Sequence, residues 1–293
     1  MKRVIFGILT GGLLAVIGSI YVIKHKDKIT ANEHIKIQND KGDIFYGETL
    51  YPNQITAMLN RYKTKYNIDI AFAETKNDFE NWINGMNIEA KPKAIFQYNK
   101  GHKYGFIFVK YNNIDYCICV DTIPILSEYI KNNVSFENNK VFVEFYGKKY
   151  QAVIFGENLQ KAQLGCGSFT IALLKQLLKD NAKYLFEVLD VYEKYGNGDK
   201  TQRDVSKKSC IRGVDFDTLK NTDFAPEIYK YSQNMALQEE FDDRLVGNKK
   251  QKMREYRSTF SAEKVNQKGE KKIISTKVFD ITQKYKNIAK KPF

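Results

Sequence analysis

Apolar residues along this chain change period several times, and each change marks an element. "NQITAMLNRYKTKY" sets Ile55, Met58, Leu59 and Tyr62 at helical spacing, with Asn53 placed to cap the helix. "IDIAFA" (68–73) predicts a strand. "TKNDFENWINGM" returns to helix, with Phe79, Trp82, Ile83 and Met86 on one face, and "AIFQY" (94–98) is a further strand. Two alternating runs, "GFIFVKY" and "IDYCICV", meet at Asn112-Asn113; asparagine tolerates positive φ, so a tight two-residue hairpin is expected. "KVFVEFY" (140–146) and "YQAVIFG" (150–156) add two strands. A helix from Gly167 to about Leu178 follows, then a second through "AKYLFEVLDVYEKY". The layout predicts an α/β (α+β) fold with a central mixed sheet, flanking helices and most strands before Cys166.

The N-terminus differs in kind. "VIFGILTGGLLAVIGSIYVI" (4–23) is an uncharged run of about the length that crosses a bilayer as a helix, with Lys2 and Arg3 before it and Lys24, Lys26 and Lys28 after. It is long for a signal-peptide core and lacks a small-x-small cleavage site, so an uncleaved transmembrane anchor is preferred to a cleaved signal. Residues 1–28 are thus read as anchor, 29–50 as a polar stalk, 51–210 as the catalytic core and 211–293 as a basic C-terminal region. Membrane attachment through that helix is the localisation these residues predict.

Formal charge is +13, and the excess gathers in "GNKKQKMREYRS", "KGEKKIISTK" and "QKYKNIAKK". A solvated basic face would account for it; so would an anionic ligand or an anionic membrane surface. Nucleic acid is not expected, since no zinc-finger, RNP or helix-turn-helix pattern accompanies the charge. Four cysteines are too few and too unevenly spaced for a disulfide framework, and three histidines leave no metal site in prospect. Cys117 and Cys119 share one strand face and read as small core residues.

Cys166 is either a buried thiol that precedes a helix or a nucleophile aimed by it. At a helix N-terminus, unpaired N–H groups and the dipole favour thiolate over thiol, while Gly165 and Gly167 let the backbone bend around the sulfur. His25 and His34 fall before the catalytic core, which leaves His102 as the imidazole base. With Asn112-Asn113 as the turn, Tyr111 pairs with Ile114 and Tyr104 falls opposite Asp121. His102, two residues from Tyr104, then lies diagonally across from Asp121, roughly 7–8 Å away and within reach of an Asp–imidazole hydrogen bond. Gln160, six residues before the cysteine, can donate to an oxyanion beside the Cys166 N–H. Base, orienter, donor and nucleophile occur in the order His102, Asp121, Gln160, Cys166, opposite to papain-like proteases.

These features resemble the YopJ-type effector family, bacterial enzymes built on the fold of the ubiquitin-like-protein proteases. "KAIFQYNKGHKYGFIFVKYNNIDYCICVDTI" is similar to that family's segment with a histidine and, nineteen positions on, an acidic residue. "LQKAQLGCGSFTIALLKQLL" resembles its Gln-x5-Cys-Gly-x-Phe-Ser-x-Ala-Leu-x-Lys block, and "FAPEIYKYSQN" its Pro-x-x-Tyr/Phe-Lys-His-x-Gln block. The likeness covers about residues 50–235. It departs at Asp121, where many members carry Glu, at Gly165, and at Tyr231 in place of His. The transmembrane run is also atypical of injected effectors.

The resemblance implies an acetyltransferase that moves an acetyl group from acetyl-CoA, through an acetyl-cysteine, to Ser, Thr or Lys of host proteins, signalling kinases among them. It implies secretion into a host cell and activation by inositol hexakisphosphate. For the bound ligands the expected residues are Gly165, Gly167, Lys230, Arg61, Lys65, Lys277, Lys284 and Lys286, with cations of 249–291 converging on Arg61, Lys63 and Lys65. The rival is an isopeptidase for ubiquitin or a ubiquitin-like protein, which needs the same triad; a catalytically idle binding module is a third reading.

Overall fold

In a computed structural model, the described residues are 21–23, 34–38, 44–46, 50–98, 103–120, 133–137, 140–155, 166–196, 208–211, 214–217, 226–230, 232, 238–239, 241–247, 249–259, 261–265, 271–275, 282 and 284–287. Strands β1 (Tyr21–Ile23), β2 (His34–Gln38) and β3 (Ile44–Tyr46) form a small antiparallel sheet in which Ile23 pairs with His34 and Gln38 with Ile44. This corrects the transmembrane expectation. The end of the apolar run 4–23 is extended and hydrogen-bonded to a polar strand, and among the described residues no helix is long and apolar enough to cross a membrane. The rest of the run lies outside the described residues. Length and apolarity suit a spanning helix, but "YVI" is β-branched and aromatic and pairs as readily with a neighbouring strand.

Helix α1 (Pro52–Tyr66) begins one residue before Asn53. Its N-cap is Tyr51, whose N–H donates to Gln54 Oε1 at 3.1 Å, and Pro52 takes the first position, where a missing N–H costs nothing. It ends at Asn67, φ +52. After β4 (Ile70–Ala73), α2 (Lys76–Gly85) is capped by Thr75, whose Oγ1 accepts from the Asp78 N–H at 3.1 Å while Asp78 accepts from Thr75 N. Then come β5 (Lys93–Tyr98), β6 (Lys103–Tyr111), β7 (Ile114–Val120), β8 (Val134–Glu137), β9 (Lys140–Phe145) and β10 (Lys148–Phe155).

These strands form a seven-stranded mixed sheet in the order β4-β5-β6-β7-β10-β9-β8, parallel at β4/β5 and β7/β10 and antiparallel elsewhere. Its alternating residues divide the core. Phe96, Ile107, Val109, Ile118 and Val120 face a layer holding α1 and α3 (Cys166–Gly196), whereas Phe106, Phe108, Cys117 and Cys119 face α2 through Phe79 and Ile83. Cys117 and Cys119 are fully buried with sulfurs 3.8 Å apart, and burial pushes the Cys117 thiol well up, as suits core residues. Helix α3 is two helices joined by a left-handed turn, with φ of +55, +57 and +59 at Asp180, Asn181 and Ala182.

The remaining described elements are β11 (Lys208–Ile211), β12 (Val214–Asp217), α4 (Pro226–Tyr229), β13 (Leu245–Val246), β14 (Gln251–Lys252), α5 (Met253–Ser258), β15 (Ser261–Val265) and β16 (Lys271–Ser275). Tyr229, Phe241, Val246, Met253 and Tyr285 are buried in the same core as α1 and α3, so residues from 226 onward help build the molecule's interior.

Candidate active site

The site is positioned by one end of the sheet. Asn112 (φ +47) and Asn113 (φ +62) make the tight turn, Tyr111 pairs with Ile114, and the ladder runs to Gly105 opposite Val120. That is the register read from the turn. It stops one pair short of Tyr104–Asp121, because Asp121 lies outside the described residues. Strand β10 runs parallel to β7 with Phe155 beside Val120. So β7 and β10 end, and β6 begins, at the same edge.

The first turn of α3 is laid on that edge. Thr170 Oγ1 donates to the carbonyl of Lys103, the residue after His102, at 3.3 Å. A Cβ placed on Gly167 would lie 3.6 Å from Lys103 Cδ and 3.7 Å from Phe96 Cζ, ordinary packing distances that seat the helix start on these two side chains. Cys166 opens this helix and is 6% exposed. A helix start offers unpaired first-turn N–H groups and the positive end of the dipole, which favour an anion, while burial opposes one. The chain thus brings Gly167 and Thr170, in the turns that follow Cys166, against the residue that adjoins His102. His102 itself, with Gln160 and Gly165, lies outside the described residues, as does Lys277.

Two residues of this site were missed in the sequence. Lys103 is 7% exposed; its stem runs along Gly167 and its Nζ sits 4.7 Å from the Tyr98 ring centroid. Thr282 is fully buried, with its hydroxyl 2.6 Å from Ser168 Oγ in the first turn of α3. Lys103 had a signal, its place beside the candidate base. Thr282 had none, because nothing local ties it to residue 168.

A basic cluster lies on the α1 side. Lys175, on α3, is half-buried with its Nζ 4.3 Å from the Tyr66 ring and 5.1 Å from that of Tyr62. Burial lowers its pKa; the Tyr66 phenol opposes this, while the charges of Lys284 and Lys230 add to it. Burial alone would raise Tyr66, but Lys175 and Lys65 pull the phenol below its ordinary value. Lys175 therefore feels the charges of Lys230 and Lys284 and shares Tyr66 with Lys65, and Tyr285 packs edge-on against Tyr62 at 6.3 Å. Lys230 is buried and held 2.6 Å from Glu227, so its charge is matched within the protein. Lys63 pairs with Asp69 at 3.1 Å. Arg61 and Lys286 are half-buried, and Lys284 is exposed.

No family model and no curated protein matches the sequence. Solved structures do. One described as "AvrA delL154 with IP6, CoA" superposes with a TM-score of 0.55 at 12% identity, covering 82% of this chain and 87% of the other. A HopZ1a structure in complex with IP6 gives 0.53 at 7% identity, covering 80% and 83%. Both proteins are YopJ-family effectors. The chain has the YopJ-type fold. The likeness extends well past the strands and helices around Cys166, since a match over four-fifths of the chain takes in much of the sequence beyond α3. At such identity the YopJ-type fold is carried by the pattern of buried positions rather than by shared residues.

Proposed function

We propose that this protein is an acetyltransferase that uses acetyl-CoA and a His102–Asp121–Cys166 triad to modify host proteins. The observation that carries the reading is the placement of Cys166 at the first turn of α3, a helix start that Gly167 and Thr170 hold on Lys103 at the start of β6. In this mechanism His102 takes the Cys166 proton and the thiolate attacks the acetyl-CoA carbonyl. Gln160 and a backbone N–H hold the oxyanion, CoA leaves with the proton, and an acetyl-cysteine remains. The freed imidazole then takes the proton of a Ser, Thr or Lys acceptor as it attacks the thioester. Asp121 keeps the imidazole oriented and stabilises its charged form.

The basic cluster favours transferase over isopeptidase. Lys65, Lys175 and Lys284, with Arg61 and Lys286 near them in sequence, offer the several cationic donors a polyphosphate needs, and AvrA and HopZ1a were both solved with IP6. Lys230 is already neutralised by Glu227 and supports the cluster's framework more than it offers charge. An enzyme of this kind is expected to act after secretion into a host cell.

The purified protein, given labelled acetyl-CoA with inositol hexakisphosphate, is expected to label itself or an added host-cell extract, and Cys166→Ala to abolish the label while keeping the melting temperature within a few degrees. A mutant as active as the parent would remove Cys166 from the chemistry. Cleavage of a ubiquitin-like fusion without acetyl transfer would instead establish the isopeptidase.

A further inference from the structure

The first turn of α3 is held from outside by a residue far along the chain. Ser168 Oγ and Thr282 Oγ1 lie 2.6 Å apart; Ser168 is 1% exposed and Thr282 fully buried. A hydroxyl pair shut away from water is retained only while each satisfies the other, because an unpaired buried hydroxyl is costly. Ser168 is two residues from Cys166, and the same turn is tied from below by Thr170 to Lys103. After Thr282 the chain places Lys284 in the field of Lys175 and packs Tyr285 on Tyr62 of α1. One short stretch therefore touches the nucleophile's turn, the basic cluster and α1.

We propose that Thr282 is a positioning residue for Cys166: through Ser168 it fixes the turn whose N–H groups and dipole set the sulfur's charge and direction. The proposal rests on reading Cys166 as the nucleophile. A turn free to fray would present its N–H groups less well, so the thiolate would be less favoured and less well aimed. The loss would then fall on the chemical step.

The test uses the full-length chain and three variants. Thr282→Val keeps the shape and removes the hydroxyl, Thr282→Ser restores it, and Ser168→Ala cuts the bond from the helix side. Iodoacetamide labelling of Cys166, followed by mass spectrometry across pH, reads the thiolate without needing any transferase activity. Thr282→Val should move the labelling midpoint to higher pH by about half a unit or more and slow labelling at neutral pH. It should lower kcat for acetyl transfer about tenfold with little change in KM for acetyl-CoA. Thr282→Ser should match the parent, and adding Ser168→Ala to Thr282→Val should cost little more than either alone.

A merely structural role predicts another pattern: a lower melting temperature with the midpoint unmoved, or faster labelling because the buried sulfur is exposed. Either result overturns the proposal. If Thr282→Val does not fold, Ser168→Ala tests the same bond, and an unmoved midpoint there overturns it equally. If the parent transfers no acetyl group, the functional reading falls, yet the labelling profile still decides the role of Thr282.

Discussion

Lys103 holds a positive charge where water hardly reaches it. Its ammonium has the Tyr98 ring nearby, its stem follows Gly167, and among the described residues no carboxylate pairs with it. A cation so placed favours a nearby anion, and Cys166 is the neighbour of the glycine it touches. Lys103→Met is therefore expected to raise the pH midpoint of Cys166 alkylation by about one unit, and Lys103→Arg to keep it near the parent value. An unmoved midpoint in the Met variant would mean that the ammonium is too distant to act on the sulfur. Sequence showed the cysteine and its helix because both are local. Lys103 had only its place beside the candidate base, and a lysine beside a histidine in a basic chain looks like one more surface charge.

Between elements, β6 lies close against α3. A Cβ on Gly105 would lie 2.7 Å from Leu174 Cδ1 and 3.0 Å from its Cγ, so the fully buried Leu174 would have to shift. Gly105→Ala should thus cost about 1–3 kcal/mol in denaturant unfolding. Leu174→Ala, itself a loss of about 2–5 kcal/mol, should make room, so the double variant is expected to lose less than the sum. A neutral Gly105→Ala would show that α3 can slide over the sheet.

The elements around the site show what periodicity conveys. The Asn112-Asn113 turn and its register were legible because the two strands are adjacent in sequence, and the break after Leu178 because the apolar spacing is interrupted there. The parallel seat of β10 beside β7 was not, since strand alternation carries no information about a partner reached by a crossover. Nor does alternation bring His102 to Cys166 unaided. Tyr104, the described residue on that face, packs into the α2 layer, whereas Lys103 faces α3. The N-terminal run misled for a related reason: a strand is recognised by its partner, and the partner of Tyr21–Ile23 is the polar segment His34–Lys36.

Across the whole molecule, core and tail are one interior, with Tyr229, Phe241, Met253 and Tyr285 buried beside the helices that flank the sheet. The Thr282–Ser168 bond joins residues 114 apart in sequence, whereas β5, β6 and β7 are joined by short hairpins. Chain entropy makes the hairpins early and the distant bond late. A contact absent from the folding transition state changes the rate of unfolding and leaves that of folding alone. Thr282→Val is accordingly expected to raise the unfolding limb of a chevron plot and spare the folding limb; a slowed folding limb would place the contact in the nucleus. Bonds made late also tend to open first. On gentle heating, then, loss of Cys166 reactivity should precede loss of the sheet's circular dichroism, an interval in which the molecule is folded by every spectroscopic measure and chemically silent.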